Sequence, residues 1–357
     1  MNVGGQAECA EHVGKAGGRI GVAFSGGVDS AVSVRLLQEQ GFEVEAWHML
    51  TCSSEPAAGV VRLVEALGVP LHVVDLRAAF EEQVREPFYA AYASGLTPNP
   101  CAWCNPRLKF GLLRQTIGGR MATGHYVGCG YEPQSGALTL RCAHDAAKDQ
   151  SYFLYALNAA MLTETVFPLA GRTRVEVVAL ARALRLPIPE EKLASGSQDI
   201  CFLPEGDYRP ELCRRFPKVN RPGNIVDESG RVLGRHSGLA NYTRGQRRGL
   251  GVAMGERTFV VGFDWVQNTL VIGPRESLQT RTFSISEMHW LVPPSFPLLC
   301  EAVTRYHHRA FVCRVEADGR VEAEESQTLV TPGQACVFYR GEWVLGGGTI
   351  QTVGGGK

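Results

Sequence analysis

Residues 21–30, GVAFSGGVDS, decide how this chain is read. The apolar run RIGVAF (19–24) reads as a buried strand. It breaks at Ser25-Gly26-Gly27 and gives way to DSAVSVRLLQEQ (29–40), whose Val32, Leu36 and Leu37 form a helical stripe that Gly41 ends. Gly26 and Gly27 let backbone N–H groups approach an anion with no Cβ in the way. The start of the following helix points its positive end at the same spot. Ser25 and Ser30 add hydroxyls, and Asp29 is expected to hold Mg²⁺ against phosphates. The loop has neither the GKS/T ending of a Walker loop nor GxGxxG. The competing reading is a plain strand–turn–helix connection with a Ser/Asp cap.

Outward from the loop, strand and helix alternate. Residues 42–49 read as a strand, 57–67 as a helix ending at Gly68, 71–76 as a strand and MATGHYV (121–127) as a further strand entering a loop. Such alternation predicts a parallel α/β sheet with helices on both faces. After about residue 203 the texture changes to prolines, glycines and short strand-like runs, such as ERTFVVGFDWVQNTLVIG and ACVFYRGEWVLGGGTI. Asp318-Gly319 and Arg340-Gly341 fall where hairpin turns belong. A small β-rich central module and a C-terminal β-barrel are expected. The predicted division is a flexible leader at 1–18, a catalytic domain at 19–203, a central domain at 204–274 and the barrel at 275–357.

Composition narrows the class. With 357 residues, 45% hydrophobic and 20% charged, the chain is an ordinary globular protein of two or three domains. No apolar run approaches the ~20 residues of a membrane span, and the N-terminus has no signal-peptide core. A cytoplasmic protein is expected. The net charge is zero, yet residues 205–250 hold ten Arg/Lys against five Asp/Glu. That local excess suits either a solvated face or a polyanion-facing patch.

Eleven cysteines are present. Cys52, Cys129, Cys142, Cys213, Cys300, Cys313 and Cys336 read as structural or incidental. Cys101 and Cys104 form a CxxC within TPNPCAWCNPRLKFG (97–111), and Cys201 lies in SGSQDICFLPEGDY (195–208). A lone CxxC is ambiguous between a zinc half-site, a redox pair and an iron–sulfur site. Arg107 and Lys109 are placed to lower a thiol pKa or meet a phosphate. Tyr242 with Arg244, Arg247 and Arg248 mixes an aromatic with cations, as RNA-binding surfaces do.

Taken in order, SGGVDS, NPCAWCN, ATGHY, KDQSYFL, SQDICF, HSGLANYTRGQRRGLG, RYHHR and TPGQACVFYRGEWVLGGG closely resemble the bacterial tRNA-specific 2-thiouridylases, from about residue 19 to 351. SGGVDS is similar to the PP-loop of ATP pyrophosphatases. The resemblance implies thiolation of the wobble uridine of tRNA, with ATP and Mg²⁺ as cofactors and sulfur arriving as a persulfide from a sulfur-relay protein. It places Ala23, Phe24, Ser25, Gly26, Gly27, Val28, Asp29, Ser30, Met49 and Gly124 at the ATP site. Cys104 matches the nucleophile and Cys201 the persulfide carrier. Asn99, Pro100 and Cys101 match the stretch touching the target base. His125, Lys148, Asp149, Gln150, Arg305, Tyr306 and Gln334 match tRNA contacts, and the resemblance implies that the central domain at 204–274 contacts the tRNA, its Arg/Lys excess meeting the anticodon stem backbone. On this reading a monomer is expected.

Two departures stand out. Many relatives carry an aspartate where this chain has Cys101, so the acid/base carboxylate is missing. The acidic, tryptophan-containing segment after the second strand is replaced by HMLTCSSEP (48–56). The three cysteines Cys101, Cys104 and Cys201 also match the ligand set of an open [4Fe–4S] cluster, an alternative to the persulfide route. A PP-loop metabolite ligase and a non-catalytic RNA-binding protein are the competing functions. Neither needs both an intact PP-loop and three cysteines.

Overall fold

The computed structural model describes residues 17–194, 200–203, 206–252, 257–328 and 330–354. The leader expectation (1–18) and Ser195–Asp199 of the Cys201 motif fall almost wholly outside them.

The first sheet has five strands in the order β3-β2-β1-β4-β7, all parallel. β1 is Arg19–Ala23, β2 Glu43–Leu50, β3 Leu71–Asp75, β4 Met121–Thr123 and β7 Thr165–Val166. Helix α1 (Val28–Glu39) joins β1 to β2, and α2 (Ala58–Leu67) joins β2 to β3. Ile20, Val22 and Ala46 of the strands are buried with Val34 and Leu37 of α1 and Leu63 and Val64 of α2. α2 ends at Gly68, whose φ of +66° is the left-handed cap that glycine adopts without a Cβ clash. Parallel strands bring their carboxyl ends to one edge, where an open α/β sheet binds its ligands. The loops after Ala23, Leu50 and Thr123 all leave from that edge.

A helical run α3 follows β3, from Arg77–Phe80 through a π-turn at Glu81–Arg85 to Glu86–Ala93. After it, α4 begins at Pro100–Cys104 and continues through the wide turns of Asn105–Leu113 into Arg114–Ile117. Asn99 caps α4 by accepting from Ala102 N–H at 3.4 Å, with Pro100 at the first helical position, where its missing N–H costs nothing.

Beyond α5 (Arg174–Ala183) and α6 (Arg209–Arg215), a four-stranded sheet in the order β10-β11-β8-β9 forms the central module. Its strands are β8 Gly223–Val226, β9 Val232–His236, β10 Phe259–Asp264 and β11 Thr269–Gly273. The C-terminal strands are β12 Gln279–Trp290, β13 Leu298–Val303, β14 Phe311–Val315, β15 Arg320–Thr328, β16 Ala335–Arg340 and β17 Trp343–Val353. They close into a six-stranded barrel because β12 pairs with both β15 and β17. Closure removes the exposed sheet edges.

One feature was not legible in the sequence. The hairpin β5 (Gly128–Tyr131) and β6 (Leu138–Arg141), which follows the ATGHY loop, extends the barrel sheet: β6 pairs with β17 through Arg141 and Trp343. Among the described residues no helix is long and apolar enough to cross a membrane.

Candidate active site

The β1–α1 loop is shaped by its own atoms. Gly26 adopts φ +79°, and a Cβ there would lie 2.6 Å from Val60 Cγ2. Gly27 is extended and precedes α1 with no side-chain cap. Its N–H donates to Ser25 Oγ at 3.3 Å, and Ser30 Oγ donates to the Gly27 carbonyl at 2.9 Å and sits 3.2 Å from Ser25 Oγ. Ala23 closes the strand. Phe24 and Val28 are buried in the core, so they offer the loop only backbone. Met49 is half-buried, and its neighbour His48 donates from Nδ1 to the Phe24 carbonyl at 2.8 Å, which fixes that tautomer.

Gly124 leaves β4 directly against the start of α1. A Cβ on it would stand 2.8 Å from Ser30 N and 2.9 Å from Asp29 C, so only glycine permits this approach. Two glycines in the loop, a twelve-residue helix starting behind them and a glycine-lined wall form a cradle that fits the phosphates of a nucleotide.

Asp29, the residue expected to face Mg²⁺, has two partners within the protein. Its Oδ1 accepts from the Tyr126 hydroxyl at 2.8 Å and from Arg174 Nη1 at 2.5 Å. The carboxylate is therefore already charge-compensated by α5, and only its other oxygen is available to a cation. Burial, with the Asp29 charge alongside, pushes the Tyr126 phenol upward, so it remains a donor. Sequence reasoning missed Arg174, because nothing local ties it to a residue 145 positions earlier.

The three candidate cysteines gather in one region. Cys104, Trp103, Ile200, Phe202 and Leu203 share a cluster with Ala23 and Met49, the ends of β1 and β2. Phe202 is the anchor of the Cys201 turn. Its ring meets Phe80 and Phe88 edge-on at 5.5 and 5.0 Å. Burial raises the thiols of Cys101, Cys104 and Cys201, each to about 11. Cys201 raises the Cys101 thiol further, and Cys104 and Cys52 raise that of Cys201. Cys52, read from sequence as incidental, thus belongs to this neighbourhood. The ammonium of Lys109 opposes the rise at all three candidates. Its Nζ donates to His125 Nε2 at 3.3 Å, and His125 Nδ1 meets Thr123 Oγ1 at 2.9 Å. Burial, reinforced by Lys109, holds His125 well below its ordinary value, so it is neutral and accepts from the lysine.

The alternative of an iron–sulfur cluster on Cys101, Cys104 and Cys201 finds no support in the structure. Among the described residues no three His, Cys, Asp or Glu groups stand in a metal-holding arrangement. Cys101, Cys104 and Cys201 are neighbours, but among the described residues they do not form a metal-holding group.

The residues expected at the target base and the tRNA divide into two kinds. Asn99 is buried, with its amide nitrogen near Tyr152 and lacking a well-formed acceptor; Pro100 is buried beside it and Cys101 is exposed. Arg305 is exposed, and the adjacent Tyr306 ring packs 4.5 Å from Phe153. The Phe153 carbonyl accepts from Asn105 Nδ2 at 3.2 Å, which ties this turn to the residue after Cys104. Lys148 is half-exposed. The others face inward. Asp149 accepts from Ala143 N–H at 2.8 Å and Ser151 Oγ at 2.6 Å, and burial raises its carboxyl. Gln150 Oε1 accepts from Tyr126 N–H at 3.0 Å. Gln334 Nε2 donates to the Thr97 carbonyl at 2.8 Å, pinning the NPCAWCN segment to the barrel.

Comparison with known proteins adds the family. Residues 18–205 match the family model described as "tRNA methyl transferase HUP domain", 212–274 "tRNA methyl transferase PRC-barrel domain" and 280–350 "Aminomethyltransferase beta-barrel domain". The tRNA-specific 2-thiouridylase of Desulforudis audaxviator is 42% identical over 93% of this chain and 98% of its own. That of Chloroflexus aurantiacus is 42% identical over 92% of this chain and 97% of its own. The Moorella thermoacetica protein of the same name is 39% identical over 93% and 99%.

Proposed function

The chain belongs to the tRNA-specific 2-thiouridylase family, a family of tRNA sulfurtransferases, and from that premise we propose how its own residues divide the reaction. The observation that carries the reading is the packing of Cys104 and the Phe202-anchored Cys201 turn against the ends of β1 and β2, beside the PP-loop. ATP bound by Ser25–Ser30, Gly124 and Met49 donates its adenylyl group to O2 of the wobble uridine and loses pyrophosphate. The poor oxygen leaving group becomes AMP. Mg²⁺ would ride on the phosphates, with the free Asp29 oxygen as the protein's contribution.

A sulfur-relay protein charges Cys201 as a persulfide. Its terminal sulfur attacks C2 and expels AMP, leaving C2–S–S–Cys201. The Cys104 thiolate then attacks the Cys201 sulfur. The S–S bond to the nucleoside breaks, the C2 thione is released, and a Cys104–Cys201 disulfide forms, which an external dithiol must reduce. In place of the missing carboxylate at Cys101, Lys109 supplies positive charge to each sulfur anion, and neutral His125 holds that lysine in position. The base must be extruded to reach this pocket, and Asn99, with its spare amide donor, is the group in reach of its edge.

The test is tRNA-dependent pyrophosphate release from ATP, together with 2-thiouridine formation from a persulfide donor on iron-free protein. Cys104→Ser and Cys201→Ser should keep the first and lose the second. A variant lacking both cysteines that still thiolates would overturn the assignment.

A further inference from the structure

Arg174 opens α5, and three distant parts of the chain meet it. Backbone chemistry sets its position first. Thr173 Oγ1 accepts from Glu176 N–H at 3.2 Å, and the Glu176 carboxylate accepts from Thr173 N–H at 2.7 Å, a closed capping box. The N–H of a first helical residue has no acceptor within its helix, and that of Arg174 donates to Asp145 Oδ2 at 2.8 Å. The Asp145 carbonyl accepts in turn from Lys148 N–H at 2.9 Å, so the KDQSYFL turn is tied to the same point.

The side chain then reaches in two directions. Nη1 donates to Asp29 Oδ1 of the nucleotide cradle at 2.5 Å, and Nη2 donates to the Leu193 carbonyl at 3.2 Å. Leu193 belongs to the helical turn Glu190–Ala194, from which the chain leads on to Cys201. Its side chain is buried with Val28 and Val32 of α1, and Arg182 of α5 pairs with Glu190 at the start of the same turn. Just past Cys201, Phe202 is anchored on Phe80 and Phe88. The cysteine therefore lies between two anchors, and the one before it runs through a single guanidinium to the carboxylate of the nucleotide loop.

We infer that Arg174 is a positioning residue for sulfur transfer: by bridging Asp29 and Leu193 it keeps the Cys201 segment in register with the site of adenylation. The inference rests on the thiolation reading and deepens it. A charge partner for Asp29 alone would need no second arm. Two donors in a fixed planar fork are what arginine supplies, whereas lysine carries one nitrogen on a flexible stem. The persulfide on Cys201 must reach C2 of a base activated beside the nucleotide loop, and a misplacement of about 1 Å in such an arrangement costs about a hundredfold. Arg174 makes no bond in the reaction and acts through its two partners.

The experiment compares wild type, Arg174→Lys, Arg174→Met and Tyr126→Phe. The lysine keeps a cation beside Asp29, which guards against unfolding. Tyr126→Phe takes the other donor from Asp29 Oδ1 and leaves the bridge to Leu193 in place. Two rates are read on each protein: tRNA-dependent pyrophosphate release from ATP, and 2-thiouridine formation in a single turnover from protein charged with persulfide at Cys201. In both Arg174 variants the second should fall about ten- to a hundredfold further than the first, and in Tyr126→Phe the two should fall together. Iodoacetamide labelling read by mass spectrometry, without tRNA, is the second readout. Cys201 should label about ten- to a hundredfold faster in the Arg174 variants, as release from burial returns its thiol from about 11 toward 9.0, with Cys104 at its wild-type rate. Equal losses of the two rates in the Arg174 variants, the same split in Tyr126→Phe, or Cys104 quickening along with Cys201 would overturn the bridge. A wild-type protein that forms no 2-thiouridine overturns the thiolation reading instead, and the labelling contrast, which needs no tRNA, then decides the bridge by itself.

Discussion

Gly124→Ala tests whether the nucleotide cradle depends on one close backbone approach. The added methyl would stand 2.8 Å from Ser30 N and 2.9 Å from Asp29 C, where ordinary contact begins at 3.4 Å. The overlaps are 3.4 − 2.8 = 0.6 Å and 3.4 − 2.9 = 0.5 Å, both against backbone, which cannot swing aside as a side chain can. Neither wall moves freely. β4 is held to β1 through the pair Ala23 and Thr123, and Ser30 is hydrogen-bonded to Gly27 inside the loop. Relief must come from shifting the first turn of α1 or the 124–126 segment, at about 1–3 kcal/mol for such overpacking. The N-terminal domain should melt lower by roughly 2–4 °C per kcal/mol. The displaced turn is the one expected to bind the phosphates, so ATP affinity should fall about ten- to a hundredfold, tenfold for each 1.4 kcal/mol lost in the complex. Calorimetry with ATP, alongside tRNA binding that should not change, reads this out. Wild-type ATP affinity and melting in Gly124→Ala would refute the cradle.

Arg174→Met removes the guanidinium from Asp29 and leaves a partly buried carboxylate with only the Tyr126 hydroxyl; a loss of about 1–2 kcal/mol in thermal stability, discounted for solvent access, and slower pyrophosphate release are expected. The thiols of Cys101, Cys104 and Cys201 at about 11, against an ordinary 9.0, should alkylate about a hundredfold more slowly than free cysteine below pH 9 and gain about tenfold per pH unit toward 11, as a pH series with iodoacetamide and mass spectrometry would show. Because the folded state holds these protons more tightly than the unfolded chain, their contribution to stability is complete below pH 9 and lost as pH climbs from 9 to 11, so denaturant midpoints should decline across that window. Phe202→Ala should cost about 3–5 kcal/mol of local packing and free the Cys201 turn, abolishing sulfur transfer while ATP binding persists.

Local chemistry was legible in the sequence and tertiary pairing was not. GVAFSGGVDS displays its strand, its two glycines and its helix start in ten consecutive letters, and β1, α1, β2, α2 and β3 fall within a residue or two of where apolar periodicity puts them. The glycine at 124 was found through its motif, although the reason it must be glycine is a contact with residue 30 that no local pattern contains. His125 and Asp149 are instructive. The resemblance implies tRNA contacts for both, while their residues alone leave the direction of each side chain open; in the structure one meets Lys109 and the other its own turn. Polarity alone does not say which way a side chain faces when a buried partner can satisfy it. Asp29 illustrates the same point, since its partner Arg174 arrives from a distant helix.

The hairpin β5–β6 gives these separate facts a common geometry. It springs from the ATGHY segment, whose Gly124 touches α1 and whose His125 holds Lys109, and it ends in the sheet of the C-terminal barrel through Arg141 and Trp343. The same barrel reaches back at Gln334 to fix Thr97, just before Asn99, and through Tyr339 to Ser151 at 3.1 Å. The barrel is therefore bonded to three segments that border the thiols and the nucleotide cradle. Each bond is to backbone or to a buried hydroxyl, which fixes position and carries no chemistry of its own. A barrel that only bound RNA would need none of these tethers. Their presence argues that the barrel sets the spacing of the NPCAWCN and KDQSYFL segments. Gln334→Ala should then slow sulfur transfer at saturating tRNA and leave pyrophosphate release intact. A variant with a raised KM for tRNA and an unchanged turnover would instead make Gln334 a plain RNA contact and refute the tether.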